Sequence, residues 1–156
     1  MGETWRRFEN LSPPSRQLVR EAALALLGTW VGLRLVGYAR WKRVLIWFMP
    51  EAPAHVRLSD GERLGLAQAI ARLEESTAQR LPFRSSCLEK SLVLCWLLER
   101  RGIEADLRIG GRKEEGIFEA HAWVELHGAV LNDFTGQHRH FTAFEREPIA
   151  MNTELS

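Results

Sequence analysis

Three residues in the second half of the chain have the types and the order of a thiol-based catalytic triad. Cys87 lies between Ser86 and Glu89, a pattern that predicts a capping box and places the cysteine at the first position of a helix. Unpaired backbone N–H groups and the helix dipole favour a thiolate there. His121 would take the thiol proton and Asp133 would fix the imidazole tautomer, so that the thiolate attacks an amide or thioester carbonyl.

The pairing of His121 with Asp133 depends on the turn of a predicted hairpin. A three-residue loop at residues 126–128, with Gly128 in the left-handed conformation, would place the two side chains directly opposite each other, with Cβ atoms about 5 Å apart. A two-residue turn would shift the register by one and place His121 opposite Phe134. The sequence favours the first register and leaves the second open.

The remaining thiol and the other histidines are predicted to lie outside the site. Cys95 falls in an almost wholly apolar run, which favours a buried, unreactive thiol. Cys87 and Cys95 would be about 12 Å apart along one helix, too far for a disulfide or for joint chelation of a metal. His138 and His140 are predicted to be surface residues. We therefore expect no metal and no cofactor.

Apolar periodicity predicts the elements that would hold these side chains. A buried helix that begins at Cys87 should pack on a small antiparallel sheet, behind an N-terminal helical region, which gives an α+β fold. We predict a basic, Trp-rich region at 1–58 and a catalytic core at 59–156. The predicted helices are 15–37, 38–49, one that follows the loop at 59–61 and ends near 78, and 87–98. The predicted strands are 103–109, 117–126 and 129–134, with a charged loop at 112–116.

The N-terminal region is basic, with eight Lys and Arg against three acids in the first fifty residues. Its longest apolar run, residues 22–33, is shorter than the ~20 residues needed to cross a bilayer. A helix pair packed on the core is favoured over peripheral membrane contact or docking to a partner. No nucleic-acid partner is expected. Two unbridged thiols and the lack of a secretory signal favour the cytoplasm.

Several motifs together resemble the transglutaminase-like leader peptidases of lasso-peptide biosynthesis, the proteolytic part of the B protein. The similarity covers about residues 70–134, and the resemblance implies a papain-like or transglutaminase-like core whose triad is Cys87, His121 and Asp133. The motifs are Leu81 to Leu92, Leu97 to Ile103, Phe118 to Glu125 and Leu131-Asn132-Asp133.

The resemblance also implies a substrate and partners. The enzyme would remove the leader peptide from a ribosomal precursor and pass the freed core amine to an ATP-dependent macrolactam synthetase. Residues 1–80 look helical and lack the strand-rich pattern of a winged-helix recognition domain. This favours the split form of the B protein, with a separate leader-recognition protein.

Two other functions remain open from the sequence. The same triad could transfer an acyl group to an amine, because hydrolysis and transfer share a thioester intermediate. The chain could instead be a docking or scaffold module whose cysteine has no catalytic role.

Overall fold

The computed structural model describes residues 13–48 and 58–144. The end of the second predicted helix at Met49 lies outside the described residues. Within these residues, four α-helices precede a small sheet, which confirms the predicted α+β class. The elements are α1 (Pro13–Val36), α2 (Tyr38–Trp47), α3 (Asp60–Ala78), α4 (Cys87–Glu99), β1 (Asp106–Glu114), β2 (Ile117–Leu126), β3 (Ala129–Val130), a 3₁₀ helix (Gln137–His140) and β4 (Thr142–Ala143).

The helices begin and end close to the predicted residues. Ser59 caps α3 and Ser86 caps α4, each with a complete capping box. After α4, Gly102 has a φ of 71°, a left-handed conformation that suits a glycine just past a helix C-terminus. Gly37, with a φ of 78°, separates α1 from α2 in the same way.

One hydrophobic core joins the N-terminal helix to the rest of the chain. Leu18, Ala22 and Leu26 of α1 are buried with the apolar face of α4 and with Leu107, Val124 and Leu126 of the sheet. The predicted boundary at residue 58, between the N-terminal region and the catalytic core, stays a prediction. Residues on both sides of it contribute to the same hydrophobic core.

Helix α2 packs on α1. Trp41 lies across Gly32, where an added Cβ would clash with the indole. The Trp41 Nε1 donates to Thr29 Oγ1 at 3.1 Å. None of the residues of α2 is fully buried. Within the described residues, no helix has the length and apolar character needed to cross a membrane.

Strands β1 and β2 form a hairpin that extends beyond the predicted strand at 103–109. The sheet is antiparallel in the order β3-β2-β1-β4. The predicted strand at 103–109 begins three residues later, and β1 continues through most of the predicted loop at 112–116 to Glu114. Arg112 pairs across the strands with Glu119 at 2.5 Å, so the charged residues stabilise a ladder. Glu115 and Gly116, with φ of 50° and 85°, form the two-residue turn that suits such hairpins.

The second hairpin differs from the favoured register. Leu126 pairs with Ala129, and His127 and Gly128 have φ of 50° and 82°, so the turn has two residues and the predicted three-residue loop is wrong. The predicted strand at 129–134 ends at Val130. Asp133 therefore reaches His121 from a loop and not from a paired strand.

Candidate active site

Cys87 occupies the first position of α4. Ser86 Oγ accepts a hydrogen bond from the Glu89 amide at 3.3 Å, and Glu89 Oε2 accepts one from the Ser86 amide at 2.7 Å. The thiol is partly exposed. The predicted cap is thus confirmed, and the sulfur lies in the positive field of a helix N-terminus.

His121 lies on β2, opposite Gly110 of β1. Its ring centroid is 5.9 Å from that of Trp123 and 5.2 Å from that of Phe141. A Cβ at Gly110 would come within 3.0 Å of both neighbouring aromatic side chains, so this glycine leaves room for the aromatic packing around the imidazole. His121 Nε2 is 3.6 Å from Asp133 Oδ2, and it is buried without a hydrogen-bond partner among the described residues.

Asp133 is nearly buried and accepts several hydrogen bonds. Its Oδ2 accepts from the backbone amide and from Nδ1 of His138, the latter at 2.8 Å, and its Oδ1 accepts from Thr135 Oγ1 at 3.1 Å. Burial raises the pKa of Asp133, but the hydrogen bonds from His138, Thr135 and the Gln137 amide outweigh it and hold the pKa well below its usual range. The carboxylate is therefore ionised at neutral pH and well into the acidic range.

The predicted surface position of His138 is wrong. It was predicted to lie on the surface, yet it is partly buried, bonds Asp133 and lies 6.0 Å from the Trp123 ring. The left-handed turn at Gly136 and the following 3₁₀ helix bring it back to a carboxylate five residues earlier. His140 is exposed, as predicted.

Asn132 is a second residue that sequence reasoning did not assign to the site. Its Oδ1 accepts from the buried Val124 amide at 2.8 Å, and its Nδ2 donates to Ser91 Oγ at 2.9 Å. Ser91 lies one turn after Cys87 on the same face of α4. Asn132 thus links the helix of the cysteine, the strand of the histidine and the loop of the aspartate.

The structure brings His121 and Asp133 together but does not join Cys87 to them by a hydrogen bond among the described residues. Val124 faces the core that α4 packs on, and strand alternation places His121 on the opposite face of β2. Cys95 is buried, as predicted.

An open cleft of about 580 Å³ adjoins His121. Polar and aromatic side chains from β1, β2 and the 3₁₀ region line it. In the part of the chain that is described, no three His, Cys, Asp or Glu side chains are grouped as metal ligands. The lining residues are Arg112, Glu119, Ala120, His121, Gln137, His140 and Phe141.

The sequence of the chain is similar to those of known proteins. The sequence profile described as the transglutaminase-like superfamily matches residues 30–146. A curated relative, the microcin J25-processing protein McjB of Escherichia coli, is 45% identical over 51 residues, which are 33% of this chain and 24% of McjB. The chain thus spans about a quarter of the length of that relative. No solved structure matches the chain.

Proposed function

Because the chain belongs to the transglutaminase-like superfamily, we propose that it is a cysteine peptidase that removes the leader from a lasso-peptide precursor. The observation that supports this most is a partly exposed cysteine at a capped helix start, in a chain that also pairs His121 with Asp133. The similarity to a microcin-processing protein supports the substrate class.

The proposed reaction uses the three side chains in sequence. His121 takes the proton of Cys87, and the thiolate attacks the carbonyl carbon at the end of the leader. The Cys87 amide would stabilise the oxyanion, and breaking the C–N bond returns the proton from His121 to the freed core amine. Water then hydrolyses the thioester and releases the leader, while Asp133 keeps the imidazole oriented.

The thiol and the imidazole must meet for this reaction. We propose that Cys87 and His121 come together when the substrate binds, which requires a rearrangement at the start of α4 or in β2, because His121 faces away from the core on which α4 packs. The cleft beside His121 would hold the extended precursor. The proposed setting is the cytoplasm, with a separate leader-recognition protein and an ATP-dependent macrolactam synthetase as partners.

The direct test mixes the protein with the precursor and the recognition protein and follows leader release by mass spectrometry. Cys87→Ala and His121→Ala should abolish release, whereas Cys95→Ala should retain it because that thiol is fully buried. Unchanged release by Cys87→Ala would refute the peptidase proposal.

A second candidate is acyl transfer, which the family description itself supports. The same thioester would then react with an amine in place of water. Adding a primary amine to the reaction distinguishes the two: a leader ending in a free carboxylate indicates hydrolysis, and a leader amide indicates transfer.

A further inference from the structure

The capping carboxylate of the Cys87 helix has a second partner on α1. Arg34 Nη1 is 2.7 Å from Glu89 Oε1, while the other oxygen of Glu89 accepts from the Ser86 amide. The Glu89 side chain is only 4% exposed and that of Arg34 is 50% exposed. A nearly buried negative charge at the start of α4 is thus neutralised from the N-terminal helix.

Arg34 is held in place by its neighbours. The same Nη1 donates to the Trp30 carbonyl at 2.7 Å, and the guanidinium lies 4.2 Å from the centre of the Trp30 ring. Trp30 in turn packs on Phe83, with ring centroids 5.1 Å apart. Phe83 lies in the loop that leads to Cys87, so α1 contacts both the approach to the nucleophile and its helix cap.

A second ion pair joins the same two helices at their other ends. Arg101 Nη2, just past α4, is 2.8 Å from Glu21 Oε2 of α1. Thirteen residues separate the α1 partners and twelve separate those of α4, or about 20 Å and 18 Å of helix. The two pairs therefore fix an antiparallel packing, but only the Arg34–Glu89 pair lies beside Cys87.

We propose that Arg34 is a positioning residue for Cys87, and that α1 serves to set the reactivity of the thiol. Without Arg34, the Glu89 carboxylate would stand uncompensated two residues from the sulfur and would oppose the thiolate. The arginine also keeps the carboxylate where it caps the helix. Charge neutralisation, and not the capping hydrogen bond alone, makes the helix start suitable for a nucleophile.

The test measures the rate at which iodoacetamide alkylates Cys87 at pH 7. Arg34→Met should slow alkylation about tenfold, because an unpaired buried carboxylate two residues along the helix from Cys87 disfavours the thiolate. Adding Glu89→Gln should restore most of the rate, since glutamine completes a capping box without charge. Arg101→Met is the matched control and should change the rate less than about twofold, because the pair that it removes lies at the far end of α4.

Circular dichroism shows whether each variant is folded, and the double variant keeps the test decisive if Arg34→Met alone is unstable. Alkylation of Arg34→Met at the wild-type rate, an equal loss in Arg101→Met, or no rescue by Glu89→Gln would each overturn the proposal. The proposal rests on Cys87 being the nucleophile of the proposed function. However, alkylation needs no peptide substrate. Cleavage that survives Cys87→Ala would refute the peptidase proposal, whereas the effect of Arg34 on the alkylation rate is measured independently of cleavage.

Discussion

The two thiols of α4 lie in opposite environments only two turns apart. Cys87 is partly exposed at the first helical position. Cys95 is fully buried, and burial, with added repulsion from Glu99 and Asp106, raises the pKa of its thiol far above the ordinary value. The thiolate is the reactive form, so the two residues should differ sharply in reactivity.

We expect iodoacetamide at pH 7 to modify Cys87 alone in the folded protein and both cysteines after guanidinium denaturation. Trypsin cuts after Lys90, so peptide mass spectrometry assigns each label to one cysteine. Equal labelling of Cys95 in the folded protein would contradict its burial.

His138 supplies a side-chain donor to the oxygen of Asp133 that faces His121. We predict that His138→Ala lowers the rate of leader release about tenfold, because the carboxylate loses a bond that fixes its direction. His138→Asn should restore most of the rate, since its amide nitrogen stands near the position of Nδ1. Arg139→Ala, at an exposed neighbour, is the control.

The kinetics of the asparagine variant separate a positioning role from general loss of structure. If His138→Asn were as slow as His138→Ala, or if Arg139→Ala were equally slow, His138 would not act through its donor.

The sequence could identify Cys87 because a capping box is a local pattern of four residues. It could not place His138, whose contact with Asp133 depends on a turn at Gly136 and a 3₁₀ helix for which the sequence has no strong signal. The sequence also predicted that His121 and Asp133 lie close together. It did so from a strand register, whereas in the structure Asp133 approaches His121 from a loop.

At the scale of elements, the end of the second hairpin is set by a side chain. The two-residue turn alone would place His121 opposite Phe134, but β3 ends at Val130 and Asn132 Oδ1 takes the Val124 amide. Asp133 then leaves the ladder and turns toward His121. The local sequence of the turn was compatible with two registers, so it could not fix the pairing. The end of the strand depends on the hydrogen bond between Val124 and Asn132, eight residues apart, which has no local sequence signal.

We predict that Asn132→Ala lowers the free energy of unfolding by ~1–3 kcal/mol, because it leaves the buried Val124 amide without an acceptor. Urea denaturation measures the change. Ser91→Ala is the matched control: it removes only the Ser91–Asn132 bond and should cost about 1 kcal/mol or less. Equal stability of Asn132→Ala and wild type would show that the strand end does not depend on this amide.

For the whole molecule, the fold class followed from strong signals: long periodic helices, the capping box before Cys87 and alternating strands. The antiparallel packing of α1 on α4 could not be predicted in this way. It depends on the pairs Glu21–Arg101 and Arg34–Glu89, which join residues 80 and 55 positions apart. Such contacts are set by the packing of the core and leave no local pattern.

One buried group should make the stability of the whole protein depend on pH. Glu74 of α3 is fully buried, and both its carboxylate oxygens lack hydrogen-bond partners among the described residues. Burial, with a smaller contribution from Glu75 and despite Lys90, raises its pKa to about 8. Burial likewise raises the pKa of Glu99 to about 7, with Glu104 adding.

A raised folded-state pKa means that the native carboxyl stays protonated after the unfolded one has ionised. The unfolded state then binds fewer protons, so the stability that such a group contributes is fully present below about pH 4.5 and is lost as pH rises through the folded pKa. Glu99 contributes to this fall up to about pH 7, and Glu74 contributes up to about pH 8. The interval from pH 7 to 8 therefore reports chiefly on Glu74.

We predict that wild type loses roughly 1 kcal/mol of unfolding free energy between pH 7 and 8 that Glu74→Gln does not lose, because glutamine mimics the protonated acid and cannot ionise. Urea denaturation at the two pH values measures this difference. Glu114→Gln, at an exposed strand end, should behave like wild type. If unfolding free energy changed equally with pH in Glu74→Gln and in wild type, Glu74 would already be ionised at pH 7. The core would then have to hold a buried charge with a hydrogen-bond partner, and the described residues provide none for the carboxylate of Glu74.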